Sequence, residues 1–219
     1  MLLVSALLYT PQKVAASLGL NKGFFMGMGY GLLFTLPMFI GYASIGTLQE
    51  DWTLVGILFL FIGAAMEEVL YRGFLFGQLF RKAGWGFIPA VLLNAVIFGM
   101  GHLYQGNSFG ETMGVFLVTL LGGIWFAWLY IEWEDNLWIA ISLHIFMNLS
   151  WLLFSVGDTA LGGWGANFFR IMTIAFSIVF TIMYRQQQGF FRVNKMNLFL
   201  NKTKAKSSVG KKQLIIKIL

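Results

Sequence analysis

The stretch Phe61–Phe80, FIGAAMEEVLYRGFLFGQLF, sets Glu67, Glu68 and Arg72 inside an otherwise oily run. A charge at the centre of a membrane helix costs about 2.5–3.5 kcal/mol on insertion scales, so three within six residues need a reason. Two other apolar runs carry polar groups. His102 closes one, four residues after Phe98, and His144 and Asn148 lie in another. These two histidines are the only ones in the chain. Glu and His are the usual general bases, and Asn is a common donor to a developing oxyanion. The spacing is as informative as the types. Residues four apart share a helix face, so Glu68 can meet Arg72, Phe98 can cover His102, and His144 stands beside Asn148. Glu67 points about 100° away from Glu68. Three segments thus each offer a short polar or aromatic pair to one interior.

Each pair also has a plainer reading. Glu68 and Arg72 alone are two charges that neutralise each other and brace a bundle. A single intramembrane His or Asn is often a hydrogen bond between helices. Asn94, the Met residues and the Phe stripes read as packing. Gly99, Gly101, Gly122 and Gly123 read as places where helices approach closely. Glu67 is different, because no residue four positions away could neutralise it. An intramembrane carboxylate left over in this way marks a candidate site.

These residues must be held by membrane helices. The chain has 219 residues, 58% hydrophobic and 11% charged, with mean hydropathy +0.75, whereas soluble domains carry about 25% charged residues. Its apolar runs are continuous and near the roughly 20 residues of a membrane helix, not the alternating strands of about 10 residues of a barrel. The expected fold is an all-α polytopic transmembrane helix bundle of about six spans with a polar intramembrane site. The spans are expected near Phe24–Leu48, Leu54–Phe80, Phe87–Leu103, Thr112–Ile131, Leu137–Val156 and Phe168–Tyr184. The expected division is an N-terminal segment, 1–23, that is interfacial, a transmembrane core, 24–185, and a basic cytoplasmic tail, 186–219. Within the first segment, MLLVSALLYT is apolar but too short to span. No positive region precedes it, so it is not a clean secretory signal.

Charge and cysteine content narrow the classes further. The formal charge is +6 and no cysteine is present, which removes disulfides, thiolate metal sites and Cys nucleophiles. Lys13, Lys22, Arg81, Lys82, Arg185 and the tail all fall on alternate loops, and the intervening loops lack Lys and Arg. By the positive-inside rule both termini are cytoplasmic, in a multi-pass protein of the cell membrane. The acidic loop Glu132–Asp135 sits on that same side and fits the rule neutrally. The basic tail, Arg192 to Lys217, suits anionic lipid. Nothing interleaves its lysines with a folded platform, so nucleic acid is not an expected partner.

The motifs resemble those of the CAAX protease and bacteriocin-processing (CPBP) intramembrane protease family. EEVLYR at Glu67–Arg72 matches its EExxxR motif, FGMGH at Phe98–His102 its FxxxH motif, and HIFMN at His144–Asn148 its HxxxN motif. They occur in the family's order on separate segments, and the resemblance covers about Leu54–Val156. It implies a glutamate-dependent intramembrane endopeptidase similar to the CAAX prenyl endopeptidase. By that resemblance Glu67 and His102 bind and activate a water, and His144 and Asn148 stabilise the oxyanion. Glu68, Arg72 and Phe98 support them. The implied partners are membrane lipid and a membrane-associated peptide or protein substrate.

Two His and a Glu could form a three-ligand zinc site at Glu67, His102 and His144. No HExxH is present and Asn148 is a poor zinc ligand, so no cofactor is expected and water activation without metal is preferred. The alternatives are a non-catalytic membrane protein, such as a bacteriocin-immunity factor or scaffold, and a proton-coupled transporter. The latter is disfavoured, because no inverted repeat is visible. One geometric problem remains. With simple spans, Glu67 lies mid-membrane and His102 near the outer end of its helix. The expected solution is that Gly73–Gly86 re-enters the inner layer, or that the third helix starts deep and tilts.

Overall fold

The structure is a computed structural model that describes residues 10–157 and 161–201. Its apolar runs are helices: α1 (Pro11–Leu18), α2 (Phe24–Ile45), α3 (Leu54–Arg81), α4 (Phe87–Met100), α5 (Phe109–Glu132), α6 (Leu137–Leu153) and α7 (Trp164–Gln187). Five of them are long and apolar enough to cross a membrane, counting α4 with the 3₁₀ turn that ends it; α6 is shorter. The all-α polytopic bundle expected from composition is the observed fold. Its helices fall where the apolar runs lie, and three of them start at side-chain N-caps. Thr53 caps α3 by accepting from Gly56 N, Ser108 caps α5 by accepting from Glu111 N, and Asn136 caps α6 by accepting from Trp138 N. A two-stranded antiparallel clip, β1 (Thr47–Leu48) with β2 (Phe154–Ser155), ties the end of α2 to the end of α6.

Helix α6 is the axis of the bundle. Leu137, Ile139, Ala140, Ile141 and Leu143 are at most 1% exposed, and α6 packs against α2, α3 and α5. Close approach to α2 depends on two glycines one turn apart. A side-chain carbon on Gly27 would meet Trp138, and one on Gly31 would run into Ser142. The gap lets the Ser142 hydroxyl donate to Gly27 O at 2.7 Å. This is the small-residue packing that brings membrane helices together without a hydrophobic drive.

The geometric problem is solved by helix length. Re-entry over Gly73–Gly86 is not observed: α3 is one unbroken helix of 28 residues to Arg81, and its backbone keeps bonding through a π-wound stretch, Val69–Phe76. In contrast, α4 is only 14 residues long. Counted from the basic end, Glu67 lies 14 residues above Arg81 and His102 lies 15 above Phe87. At about 1.5 Å per residue both stand roughly 20 Å from that end, at one depth.

The loops at the basic end are neutralised locally. Glu132 pairs with Arg185 at 3.3 Å, and Asp135 with Arg81 and Arg192 at 3.2 Å each. The acidic EWED turn therefore supplies counter-ions to the arginines of its own end. The segment after α7 folds back on the core as far as Asn201, so this part of the expected tail is packed. The N-terminal MLLVSALLY and the lysine-rich end fall outside the described residues.

The packing predicts that Gly31→Ala destabilises the protein by about 1–3 kcal/mol, through overpacking against α6. Gly29→Ala, at a position with open space around it, should stay within about 0.5 kcal/mol. Reversible unfolding in bicelles reads both.

Candidate active site

Glu68 and Arg72 are both completely buried, and their ion pair measures 2.9 Å. The same Glu68 oxygen, Oε1, accepts from His144 Nδ1 at 2.7 Å. The Arg72 guanidinium lies 4.1 Å from the centre of the Phe98 ring and 5.3 Å from that of Phe126. The cation is thus held by one carboxylate and two aromatic faces, which suits a planar guanidinium removed from water. Gly123 lets α5 lie close to α4 beside it: a side-chain carbon there would crowd Ala95 at 3.2 Å, while 3.7 Å to Arg72 Nη2 is an ordinary contact. The π winding of Val69–Phe76 begins directly after the two glutamates, and such irregular turns are frequent at functional sites.

Both histidines have their tautomers set from behind. His102 Nδ1 lies 2.8 Å from Phe98 O. A carbonyl only accepts, so Nδ1 carries the proton. Phe98 therefore makes three contacts with two neighbours: its carbonyl orients His102, its ring lies tilted against that imidazole with centres 4.3 Å apart, and the same ring faces Arg72. His144 donates from Nδ1 to the Glu68 carboxylate and stacks on Phe126 at 5.6 Å. In each ring Nε2 is left to face the interior.

Glu67 faces both of them. Its Oε2 is 3.8 Å from His102 Nε2 and 3.9 Å from His144 Nε2. The side chain is 38% exposed, yet Oε2 itself is buried and has no hydrogen-bond partner among the described residues. Residues on α3, α4 and α6 are brought together here, as their spacing suggested. Asn148 lies one turn beyond His144 on α6 and is half-buried. It shares a helix with His144, and among the described residues no hydrogen bond links its amide to Glu67, His102 or His144.

Two features escape a reading of the sequence. Phe126, which supports both Arg72 and His144, looks like one more apolar residue of α5. Asn94, read as packing, is fully buried on α4 with neither amide atom hydrogen-bonded among the described residues. Only its polarity in an apolar run could have flagged it.

The fit to a metal can be tested on the same atoms. Among the described residues no group of three or more His, Asp or Glu is arranged to hold a metal ion. The Glu67 carboxylate stands 3.8 and 3.9 Å from the two imidazole Nε2 atoms.

Fold and site define a polytopic membrane protein with a carboxylate and two oriented imidazoles in the middle of its bundle. Comparison with known proteins then points to a family. Residues 49–150 match the family model described as "Type II CAAX prenyl endopeptidase Rce1-like", a span that contains Glu67, His102, His144 and Asn148. A Bacillus subtilis (strain 168) protein named "Putative membrane peptidase YdiL" is 32% identical over 87 residues, which is 40% of this chain and 31% of that protein. The match thus spans less than a third of that relative's length. No solved structure matches. The resemblance to the CPBP family, drawn from three short motifs, is borne out at family level.

Arg72→Met removes one partner of a fully buried pair and leaves Glu68 charged beside His144. It should destabilise the protein by about 3–5 kcal/mol, read by the same unfolding measurement.

Proposed function

We propose that this protein is an intramembrane endopeptidase that hydrolyses a peptide bond with a water activated by Glu67 and His102. The observation that carries the reading is the buried, unpartnered Glu67 Oε2, faced by two imidazole Nε2 atoms whose Nδ1 positions are already engaged. A water between them can give hydrogens to Glu67 and to His102 Nε2. Its oxygen attacks the substrate carbonyl carbon as one proton passes to Glu67. The carbonyl oxygen becomes the oxyanion of a tetrahedral intermediate. His144 Nε2 and the Asn148 amide are its donors, and Glu68 on the far side of the His144 ring balances the charge of a doubly protonated imidazole. Collapse of the intermediate breaks the C–N bond, and the proton on Glu67 goes to the leaving amine. Glu68 and Arg72 position His144 and touch no reacting atom.

The substrate in this reading is a membrane-associated peptide or protein, cut near the depth that Glu67 and His102 share. The basic end, with both termini, faces the cytoplasm of a cell membrane, as the placement of Arg81, Arg185 and Arg192 at one end supports. A non-catalytic role, such as an immunity factor or scaffold, is the competing reading and would need none of these protonation patterns.

Glu67→Gln keeps size and hydrogen bonding but removes the base, so turnover should fall about 10²–10⁴-fold. Comparing membrane-associated peptides from cells with the parent and the variant identifies the substrate; identical peptide pools would sink the enzymatic reading. Chelators should leave turnover unchanged, and a loss that zinc reverses would replace the water mechanism with a metal one.

A further inference from the structure

The described chain beyond α7 makes contacts that a free tail would not make. Arg192 N and Val193 N donate to the two oxygens of Glu132, at 3.1 and 3.0 Å. Glu132 is completely buried and also faces Arg185 at 3.3 Å. The segment next turns on its own asparagines. Asn194 N donates to Asn197 Oδ1 at 2.9 Å, and Asn197 Nδ2 donates to Arg192 O. It then reaches the link between α3 and α4. Phe87 N donates to Asn197 O at 2.7 Å and Ile88 N to Leu198 O at 2.8 Å. Those are two of the N–H groups that the start of α4 leaves without a helical partner. Asn201 N donates to Gly84 O, and Asn201 Nδ2 donates to Phe80 O, near the end of α3, both at 3.1 Å. Trp85 and Leu200 pair as an antiparallel bridge. Gly86 is needed at this crossing, because any side-chain carbon there would overlap the backbone of Phe199.

The helices held in this way are the two that carry Glu67 and His102. Five residues, 82–86, connect them. The segment bonds to the last turn of α3, to the link, and to the first turn of α4. It is pinned in turn to α5 through Glu132 and to the α5–α6 turn through Asp135, which Arg81 shares. We infer that residues 190–201 form a clasp, anchored by Glu132, that fixes the spacing of α3 and α4 and so the distance between Glu67 and His102. Glu132 is a positioning residue: it lies at the basic end, about 20 Å from the reacting atoms by the helix count, and acts through the clasp. The inference rests on the proposed reading for its activity test alone.

The chain has no cysteine, so a designed pair can replace the anchor. In the full-length protein, Glu132→Gln should lower kcat about 100-fold, the scale of an error of about 1 Å at a reacting centre, with KM within about twofold. Trp85→Cys with Leu200→Cys, oxidised in the Glu132→Gln background, should restore kcat to within about threefold of the parent by stapling the bridge, and reduction should abolish the rescue. Asn197→Ala, which leaves the Glu132–Arg185 pair intact, should lower kcat in the same direction. Unchanged kcat in Asn197→Ala, or a staple that forms without restoring Glu132→Gln, overturns the clasp as a positioning device. A readout independent of activity separates this from failure of the peptidase reading. Amide hydrogen exchange of Phe87, Ile88, Arg192 and Val193 should be slow in the parent and at least about tenfold faster in Asn197→Ala. Equal exchange in the two shows that the segment is not held as described.

Discussion

One carboxylate oxygen, Glu68 Oε1, is the contact on which the site depends. It accepts from Arg72 on its own helix and from His144, 76 residues later, on the central helix α6. In water this would be an unremarkable pair of contacts. Inside a bundle it carries more consequence, because an unpaired charge there is expensive and the two charged partners, Glu68 and Arg72, are fully removed from water. The contact thereby settles three things together: where α3 meets α6, which nitrogen of His144 carries the proton, and which glutamate remains available. Glu67, adjacent in sequence, is the one left over.

Aromatic faces extend that arrangement. Phe98 and Phe126 enclose the Arg72 cation, and each also contacts one of the histidines, Phe126 by stacking and Phe98 at a tilt. Ion pair, cation and imidazoles are therefore one packed unit and not a row of separate ligands. A low dielectric strengthens the bonds that are made and raises the cost of any that are not. This is why the site tolerates two acidic residues side by side: one is spent on structure, and the other meets two oriented imidazoles.

The basic end works by similar economy of charge. Glu132 and Asp135 answer Arg185, Arg81 and Arg192. An acidic turn that fits the charge rule for loops only neutrally is explained once its partners are known. Those pairs also draw the chain after α7 back over the start of α4, and a segment rich in asparagine supplies the turn that this requires.

Much was legible in the sequence because its causes are local. Hydropathy marks where helices lie, since a polar backbone in lipid must bond to itself. A spacing of four shows that Glu68 meets Arg72 and that Phe98 covers His102, since both follow from helix geometry. The scarcity of polar residues in oil singles out Glu67, His102 and His144. What only the tertiary structure decided is how those segments align. The unequal lengths of α3 and α4 bring Glu67 and His102 to one depth with no re-entrant segment. Glu68, not Glu67, takes His144 Nδ1, because rotation about the helix axis turns one carboxylate to that nitrogen and leaves the other facing the Nε2 atoms of both imidazoles. The roles of Phe126 and Glu132 belong here too. By sequence Phe126 is one more apolar residue and Glu132 part of an acidic loop, and only packing across the bundle shows what each touches.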